Sequence, residues 1–190
     1  MDNSFIILYH GGITSERGIE TLINLLKINP NINGIILGNG DKQYINELFQ
    51  LITELQVEKR IIFHESVPLD ELYKYVGCVD LSLMMIKGKS RSYYLSLPNK
   101  FFESIQALTP IVASDFPEMK KLIDKYEIGL TCDQNDLNAI NMCVERMRTD
   151  TAFYNKCKRN LKRAKEELCW ENEKTVLINA FRQRIMGVSV

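Results

Sequence analysis

The chain has 190 residues, 45% of them hydrophobic and 25% charged, which is the composition of an ordinary globular protein with one sizeable core. Basic and acidic side chains both number 24, so the formal net charge is zero. This balance argues against general attraction to nucleic acid or to acidic partners, and any anion site must be local. We therefore expect no nucleic-acid partner.

Six short apolar runs alternate with amphipathic segments from the N-terminus to about residue 130. They are predicted to be strands at residues 5–9, 34–37, 61–63, 79–83, 111–113 and 128–130. Helices are predicted through residues 19–26, 45–55 and 69–76. Near-continuous apolar strands joined by helices indicate a parallel sheet covered on both faces. We predict an α/β, doubly wound, Rossmann-like fold with strand order 3-2-1-4-5-6.

The remainder of the chain, about residues 136–190, is predicted to be helical and to belong to the same domain, residues 1–190. Asp136 can cap a first helix, a second carries Cys157 and Leu161 on its apolar face, and a third follows Trp170. The second helix also carries six basic residues: Lys156, Lys158, Arg159, Lys162, Arg163 and Lys165. We interpret them as a solvated helix face, because no interleaved aromatic residues are present to stack on bases.

The cysteines are odd in number and form no Cys-x-x-Cys pair: Cys78, Cys132, Cys143, Cys157 and Cys169. We expect reduced, buried thiols in a cytoplasmic protein rather than disulfides or a zinc site. No apolar run reaches the roughly 18 residues of a membrane span, and the N-terminus lacks the pattern of a signal peptide. Any membrane contact is expected to be peripheral and to come from a part of the protein outside this chain.

Residues 97–118 are the most informative segment. Pro98 suits the first position of a helix, because its ring fixes φ and it has no N–H to leave unpaired. Apolar residues then follow at helical spacing and predict a buried face. The opposite face carries Asn99, Glu103 and Gln106. A basic loop with Lys87, Lys89 and Arg91 precedes this helix.

Ligands of a doubly wound sheet bind beyond the carboxyl ends of the strands, where the strand order reverses. Here that point lies between the first and fourth strands, so the loop at 10–18 and the loop at 84–97 should converge there. Gly11 and Gly12 allow the backbone to approach a ligand closely, and Arg17 offers a bidentate fork to phosphate oxygens at the start of the next helix. We therefore predict a diphosphate site at this edge.

The start of the Pro98 helix supplies complementary groups. The free N–H groups of Asn99 and Lys100 can point at a phosphate with the helix dipole behind them. Glu103 carries a carboxylate that only accepts hydrogen bonds, which suits the vicinal diol of a ribose. This end of the helix can therefore hold a phosphorylated, hydroxyl-rich ligand.

Each of these features has a plain structural interpretation when taken alone. Gly11-Gly12 is a common strand-to-helix turn, and Lys100 with Glu103 can form an exposed ion pair worth roughly 0.2–0.5 kcal/mol. His10 and His64 have no obvious acidic or cysteine partner in the sequence, so we expect both to be structural. The convergence of the features at one edge of the sheet is what indicates a ligand site.

Five segments carry a family resemblance that covers nearly the whole chain. They are Gly11-Gly-Ile-Thr-Ser-Glu-Arg-Gly18, Ile36-Leu-Gly-Asn-Gly40, Arg60-Ile-Ile-Phe-His-Glu-Ser-Val-Pro68, Pro98-Asn-Lys-Phe-Phe-Glu103 and Thr109-Pro-Ile-Val-Ala-Ser114. The chain resembles the C-terminal, nucleotide-sugar-binding domain of the group 1 (family 4) retaining glycosyltransferases, which have the GT-B fold of two Rossmann-like domains. The last two segments are the most specific, and the glycine turns are the least.

The resemblance implies roles for the matching positions. Arg17 stands where the family has a Lys or Arg that binds the donor diphosphate, and Glu103 is similar to the second glutamate of the Glu-x-seven-Glu motif, which holds the ribose. The segment Ser66, Val67, Pro68 matches the one that contacts the base. The amides of Leu97, Asn99 and Lys100 match groups that meet the donor phosphates or sugar. The donor-sugar positions are Leu95, Ser96 and Leu97.

The chain departs from the family pattern at two positions. The first motif glutamate would fall at position 95, which is Leu95, so the usual carboxylate contact to the donor sugar is absent or supplied otherwise. Gly12 stands where a basic residue often follows the first strand, which leaves Arg17 a larger share of the phosphate charge. The basic residues that can compensate are Lys87, Lys89 and Arg91.

A whole enzyme of this fold also has an N-terminal acceptor domain, for which this chain has no room. The resemblance therefore implies that the chain binds a nucleotide-diphospho-sugar donor and transfers little or no sugar alone. The acceptor-side catalytic groups are expected in an N-terminal domain or a separate subunit. The parent reaction would move a hexose-type sugar to an acceptor hydroxyl of a glycan, polysaccharide or lipid-linked acceptor, with retention. No metal-ligand cluster is seen in the sequence, so chemistry without a metal or cofactor is expected.

Other proteins with a similar sheet match the sequence less well. A nicotinamide dehydrogenase needs Gly-x-Gly-x-x-Gly after the first strand and an acidic residue after the second, and neither is present. A phosphate-accepting receiver module needs acidic residues where Tyr9-His10 and Phe63-His64 stand. A nucleotide-sugar epimerase of the same two-domain fold and a non-catalytic nucleotide-binding half remain as alternatives.

Overall fold

A computed structural model describes residues 5–87 and 90–186 of the protein. Six parallel strands form one sheet with the order β3-β2-β1-β4-β5-β6, which confirms the predicted fold class and strand order. The strands are β1 (Phe5–His10), β2 (Ile32–Leu37), β3 (Ile61–His64), β4 (Leu81–Met84), β5 (Ile111–Ser114) and β6 (Gly129–Cys132).

The helices described are α1 (Ile19–Ile28), α2 (Lys42–Leu55), α3 (Leu69–Gly77), α4 (Arg91–Tyr94), α5 (Asn99–Gln106), α6 (Pro117–Tyr126), α7 (Leu137–Thr149), α8 (Thr151–Glu167) and α9 (Trp170–Met186). Two of them, α4 and α6, were not among the predicted elements. Ser90 caps α4 through its hydroxyl, and Pro117 begins α6. The predicted helical C-terminal part corresponds to α7, α8 and α9, and residues 187–190 lie outside the described range.

Alternate residues of the strands pack on opposite faces of the sheet. In β1, Ile7 and Tyr9 join the core formed with α1, α2 and α7, whereas Leu8 packs on the other face with Val76 of α3. In β5, Val112 joins the first of these cores, and its neighbours belong to a cluster with α5, α6 and α8. Helices therefore cover both faces, which is why the strands are apolar on both sides.

Three strands begin at a residue other than the predicted one. The second strand begins at Ile32 rather than at residue 34. The fourth strand begins at Leu81 rather than at residue 79, because Asp80 bonds to β1 partly through its side chain. Its carboxylate accepts a hydrogen bond from the Ile6 N–H at 2.7 Å, and its own N–H donates to the Ile6 carbonyl at 3.0 Å. The sixth strand is shifted towards the C-terminus and begins at Gly129.

The cysteines are free thiols, but they are not all buried as predicted. Cys132 and Cys157 are buried, whereas Cys78 is exposed because it lies just past the end of α3. Cys143 and Cys169 are half-buried. Cys143 of α7 lies against Cys132 of β6, and its hydrogen bond, followed by burial, raises the pKa of the Cys132 thiol.

Part of the basic face of α8 packs against neighbouring elements. Lys156 Nζ lies 2.6 Å from a carboxylate oxygen of Glu127, at the end of α6. Lys158 and Lys165 donate to the carbonyls of Leu108 and Gln106, at 2.8 and 2.9 Å. Cations at these carbonyls complement the negative end of the α5 dipole. These three lysines therefore hold α8 against α5 and α6.

Helix α9 is mostly exposed, unlike the other long helices. Its exposed apolar side chains include Trp170, Val176, Leu177 and Phe181, with between 48% and 64% of each residue's surface accessible. Within the part of the chain that the structure describes, no helix combines the length and apolar character needed to cross a bilayer.

Candidate functional site

The strand order reverses between β1 and β4, which lie side by side. The loop that follows β1 and the segment that follows β4 meet at the carboxyl edge of these strands, as the topology requires. A cavity of about 510 Å³ lies between them. Its lining residues are Tyr9, Gly11, Gly12, Thr14, Arg17, Leu97, Pro98, Asn99, Lys100 and Glu103.

Seven of the predicted site residues line this cavity, and five do not. The predicted donor-sugar residue Leu95 follows the last turn of α4 and is 45% exposed, and the Ser96 hydroxyl donates to the Tyr93 carbonyl at 2.8 Å. The predicted base segment also lies outside the lining: its Ser66 and Pro68 are exposed, and Val67 packs on the cluster around Leu8 and Leu37.

Asn39, which the sequence reasoning did not assign to the site, connects the base segment to the cavity loop. Its side chain exchanges two hydrogen bonds with Ser66, at 2.6 and 3.1 Å, and its carbonyl accepts from the N–H of Ile13 at 2.8 Å. The loops after β1, β2 and β3 are therefore joined in a row along one edge of the sheet.

The backbone of the first loop requires glycine at two positions. Gly11 has φ +116°, and a Cβ atom there would lie 3.6 Å from Lys100 Cε. Gly18 has φ +86°, and a Cβ atom there would collide with the carbonyl oxygen of Met85. Gly18 is the N-cap of α1, so Arg17 lies in the loop and does not open the helix as predicted.

Tyr9 forms the floor of the cavity. Its hydroxyl donates to the Gly12 carbonyl at 2.5 Å, which fixes the loop above it. Burial raises the pKa of this hydroxyl above its ordinary value, so it stays protonated and remains a donor. The Tyr9 ring lies 3.9 Å below Lys100 Nζ, at the distance of a cation–π contact.

Lys100 is buried. It does not form the exposed ion pair with Glu103 that is the plain structural interpretation of these two residues. Only 7% of the residue is exposed, and Nζ has no hydrogen-bond partner. Burial, followed by the charge of Arg17, lowers the pKa of Lys100 to about 7, and Glu103 acts in the opposite direction. The side chain is therefore a desolvated amine that faces the cavity without an acceptor.

Glu103 contacts His10 rather than Lys100. His10 Nε2 lies 3.2 Å from Glu103 Oε2, although neither ring nitrogen makes a well-aligned hydrogen bond. No acidic partner of His10 was obvious in the sequence, because the partner comes from α5, far away along the chain. Burial is the largest influence on the pKa of His10 and lowers it; the Glu103 contact raises it, and the Lys100 charge lowers it further.

Arg17 lies at the rim of the cavity, half-buried against an aromatic ring. Its Cζ is 4.8 Å from the centroid of Tyr93, and one guanidinium nitrogen is 3.5 Å from the Tyr93 hydroxyl. Both contacts are weak and leave several donors of the fork available. The guanidinium can therefore turn towards an anion in the cavity.

Helix α5 begins one residue later than predicted. Pro98 has φ −72° and ψ 151°, so it is the N-cap rather than the first helical residue. The N–H groups of Asn99 and Lys100 occupy the first two helical positions, where no intrahelical acceptor exists. Both residues line the cavity, so free amides lie at its edge as the sequence suggested.

Neither Lys87 nor Arg91 reaches the cavity, and Lys89 lies outside the described residues. Lys87 lines a separate polar cavity of about 200 Å³ between α1 and α7, and Arg91 is exposed in the first turn of α4. Gln106 also lies elsewhere, since it donates to carbonyls of α8 and its C-cap. The cation that stands beside Arg17 is Lys100.

A larger cavity of about 880 Å³ lies between α5, α6 and the start of α9. Its walls are mostly apolar and include Phe102, Leu122, Leu168 and Trp170. We assign the candidate site to the cavity of about 510 Å³, because charged side chains and the start of α5 converge there at the ends of β1 and β4. Among residues 5–87 and 90–186, no group of three or more His, Cys, Asp or Glu side chains could hold a metal ion.

Comparisons with known proteins show the family and the fold. The sequence profile of the family described as "Glycosyl transferases group 1" matches residues 1–164. No curated protein sequence matches the chain.

Solved structures resemble the fold at low sequence identity. Sucrose-phosphate synthase from Thermosynechococcus elongatus has a TM-score of 0.87 at 21% identity, over 99% of this chain and 47% of that one. HepE of Anabaena, solved with UDP, has a TM-score of 0.80 at 17% identity, over 94% and 49%. The C-terminal domain of the group 1 protein LpcC from Francisella tularensis has 0.69 at 16%, over 87% of both chains. The chain thus spans about half the length of the first two proteins.

Proposed function

Because this chain belongs to the group 1 glycosyl transferases, we propose that the cavity between β1 and β4 binds a nucleotide-diphospho-sugar donor. The observation that carries the proposal is that Arg17, the free amides of α5 and the carboxylate of Glu103 line one cavity. Its volume of about 510 Å³ is in the usual range for small-molecule sites. The UDP bound to HepE supports a ligand of this class.

The diphosphate is assigned to the positive side of the cavity. The backbone of Gly11 and Gly12, the fork of Arg17 and the N–H groups of Asn99 and Lys100 are its proposed contacts. Charge-assisted hydrogen bonds of this type are short and strong, and the dipole of α5 favours negative charge at the same place. As the sugar leaves, these groups would stabilise the charge that develops on the diphosphate.

The ribose is assigned to Glu103. His10 contacts Oε2, which orients the carboxylate and leaves Oε1 as an acceptor for the sugar hydroxyls. The base is assigned to the segment Ser66, Val67, Pro68, which Asn39 holds beside the first loop. Of the predicted donor-sugar residues, Leu97 lines the cavity, whereas Leu95 and Ser96 would meet the sugar only through their backbone.

The parent enzyme is proposed to transfer a hexose-type sugar to an acceptor hydroxyl, with retention and without a metal or cofactor. We assign the acceptor-side groups to an N-terminal domain or a partner subunit and the protein to the cytoplasm. Two facts support such a partner. The chain spans about half the length of sucrose-phosphate synthase and of HepE, and α9 exposes apolar side chains on the described surface. Alone, the chain is expected to bind donor and transfer little or no sugar.

Calorimetric titration tests the donor site directly. UDP, GDP and ADP, with their sugars, are titrated into the parent protein, Arg17→Ala and Glu103→Ala. Each substitution is expected to weaken binding about 10- to 100-fold, because each removes hydrogen bonds that involve a charged group. In addition, Glu103→Ala should abolish the preference for a ribonucleotide over its 2′-deoxy form, which Arg17→Ala should preserve.

Arg91→Ala serves as the matched control, since Arg91 is an exposed arginine outside the cavity lining and should bind as the parent does. The proposal is wrong if no nucleoside diphosphate binds the parent, or if both substitutions in the cavity leave the affinity unchanged.

A further inference from the structure

The amine of Lys100 is the least satisfied group in the candidate site. The residue is more than nine-tenths buried, its amine has no hydrogen-bond partner, and Nζ lies 3.9 Å from the centroid of the Tyr9 ring. Burial of an unpaired amine is unfavourable, so a protein retains one mainly where a ligand completes its contacts. The side chain is not needed to pair with Glu103, which contacts His10 instead.

The groups around Lys100 leave the cavity short of negative charge. Tyr9 and His10 approach Lys100 from β1, and Arg17 approaches it from the following loop. Glu103 is the only carboxylate among the described residues that line the cavity. His10 already engages that carboxylate. Arg17 and Lys100 therefore have one nearby carboxylate between them, and His10 already contacts it. An anion with more than one negative charge would balance the two cations.

Lys100 is also placed where a phosphate would lie. A Cβ atom built on Gly11 would be 3.8 Å from Nζ, so the amine stands directly beside the loop that is assigned to the diphosphate. The amide of the same residue is one of the free N–H groups of α5. The side chain lines the same cavity as Arg17, with its amine over the Tyr9 ring, so both cations can reach one ligand.

We propose that the Lys100 side chain is the second cation of the donor site and binds the diphosphate together with Arg17. The inference rests on the proposed function and extends it from the backbone of Lys100 to its ammonium group. Because two cations then share the charge, the site should prefer a diphosphate to a monophosphate. Gly12 stands where the family pattern often has a basic residue after the first strand. In this chain, Lys100 of α5 would supply that positive charge instead.

Proton uptake should accompany binding. Burial and Arg17 hold the pKa of free Lys100 at about 7, with Glu103 opposing and His10 adjacent, so the amine is largely neutral at pH 8. A phosphate anion within hydrogen-bond distance favours the ammonium form and raises that pKa. Donor binding at pH 8 should therefore take up close to one proton per site, and affinity should fall as the pH rises from 7 to 9.

The test compares Lys100→Met with the parent and with Lys87→Met, whose lysine lines the other polar cavity. UDP, GDP and ADP are each titrated beside the matching monophosphate and nucleoside at pH 8, in two buffers of different ionisation enthalpy. Lys100→Met should lower the affinity for the diphosphate that binds best by at least tenfold. The affinity for the matching monophosphate should fall by less, and the affinity for the nucleoside should not change. The buffer dependence of the heat should disappear in Lys100→Met and persist in Lys87→Met.

A rescue variant distinguishes a loss of affinity caused by the missing positive charge from one caused by a change in the fold. No atom lies within 4 Å of a Cβ atom built on Gly12, so the loop has room for the first atom of a side chain at this position. The double variant Gly12→Lys, Lys100→Met should bind the diphosphate at least threefold more tightly than Lys100→Met alone.

The outcomes distinguish the two proposals. If Lys100→Met binds diphosphate like the parent while Arg17→Ala does not, the role of Lys100 is wrong and the donor site stands. If the diphosphate and the nucleoside weaken equally in a folded Lys100→Met protein, the role is also wrong. If no nucleotide binds the parent, the proposed function fails, and this inference fails with it.

Discussion

Substituting alanine for Gly18 is expected to lower the free energy of unfolding by about 3 kcal/mol or more. The residue has φ +86°, a left-handed conformation that alanine adopts only with strain. An added Cβ atom would collide with the backbone carbonyl of Met85, which is completely buried at the end of β4 and cannot move aside. The collision is with backbone rather than with a flexible side chain, which is why the effect should be large.

Equilibrium unfolding in urea measures this effect, and Gly12→Ala is the matched control. Gly12 lies six positions earlier in the same loop, and no atom lies within 4 Å of its added Cβ. The control should change stability by no more than about 0.5 kcal/mol. Equal midpoints for the two variants would contradict the assigned backbone of this loop.

The second large effect is a gain in stability. Lys100→Met is expected to raise the free energy of unfolding of the ligand-free protein by about 1–3 kcal/mol at pH 7, because methionine fills the same space without desolvating an amine. For a protein of this length, each kcal/mol raises the melting temperature by about 2–4 °C. A substitution that stabilises the fold while weakening the ligand is the expected behaviour of a binding residue.

The gain should depend on pH in a defined direction. The pKa of Lys100 is about 7 in the folded protein and 10.5 ordinarily, so between these values the unfolded chain binds more protons. The stability of the parent therefore rises with pH in this window relative to Lys100→Met, by about 2 kcal/mol between pH 7 and pH 9. The advantage of the variant should shrink accordingly.

Lys158→Met provides the contrast, since the Lys158 amine is half-buried but donates to the Leu108 carbonyl at 2.8 Å. This variant should be less stable than the parent, because it removes a satisfied hydrogen bond at the end of α5. Thermal and urea unfolding at pH 7, 8 and 9 measure all three proteins. A Lys100→Met protein that is destabilised at every pH would mean that the lysine is a structural residue.

The sheet could be predicted because its information is local. Near-continuous apolar strands such as Phe5–His10 indicate a doubly covered parallel sheet, and the reversal rule then brings the loops of Gly11 and Pro98 together. Where local bonding departed from the pattern, boundaries moved: the Asp80 side chain bonds to β1, and Pro98 is a cap with an extended ψ.

The chemistry inside the cavity could not be predicted in the same way. A lysine next to Phe101 is buried or exposed according to the rotation of α5 about its axis, which packing against α3 and α8 decides. Ser104, one turn after Lys100, is also completely buried and donates to Ser82, and this spacing was the one available signal that the lysine faces inwards. The contact of His10 with Glu103 joins distant elements and has no trace in local sequence.

The uncovered apolar surface of α9 has a consequence for work with this protein in solution. Val176 and Leu177 are adjacent, and Phe181 lies about one turn further along the helix. Water in contact with such an apolar surface favours its burial against any similar surface. Copies of the chain should therefore self-associate as the protein concentration rises, which sedimentation velocity would detect as a concentration-dependent increase in the sedimentation coefficient. Replacing Val176 and Phe181 with serine should return the sample to monomers.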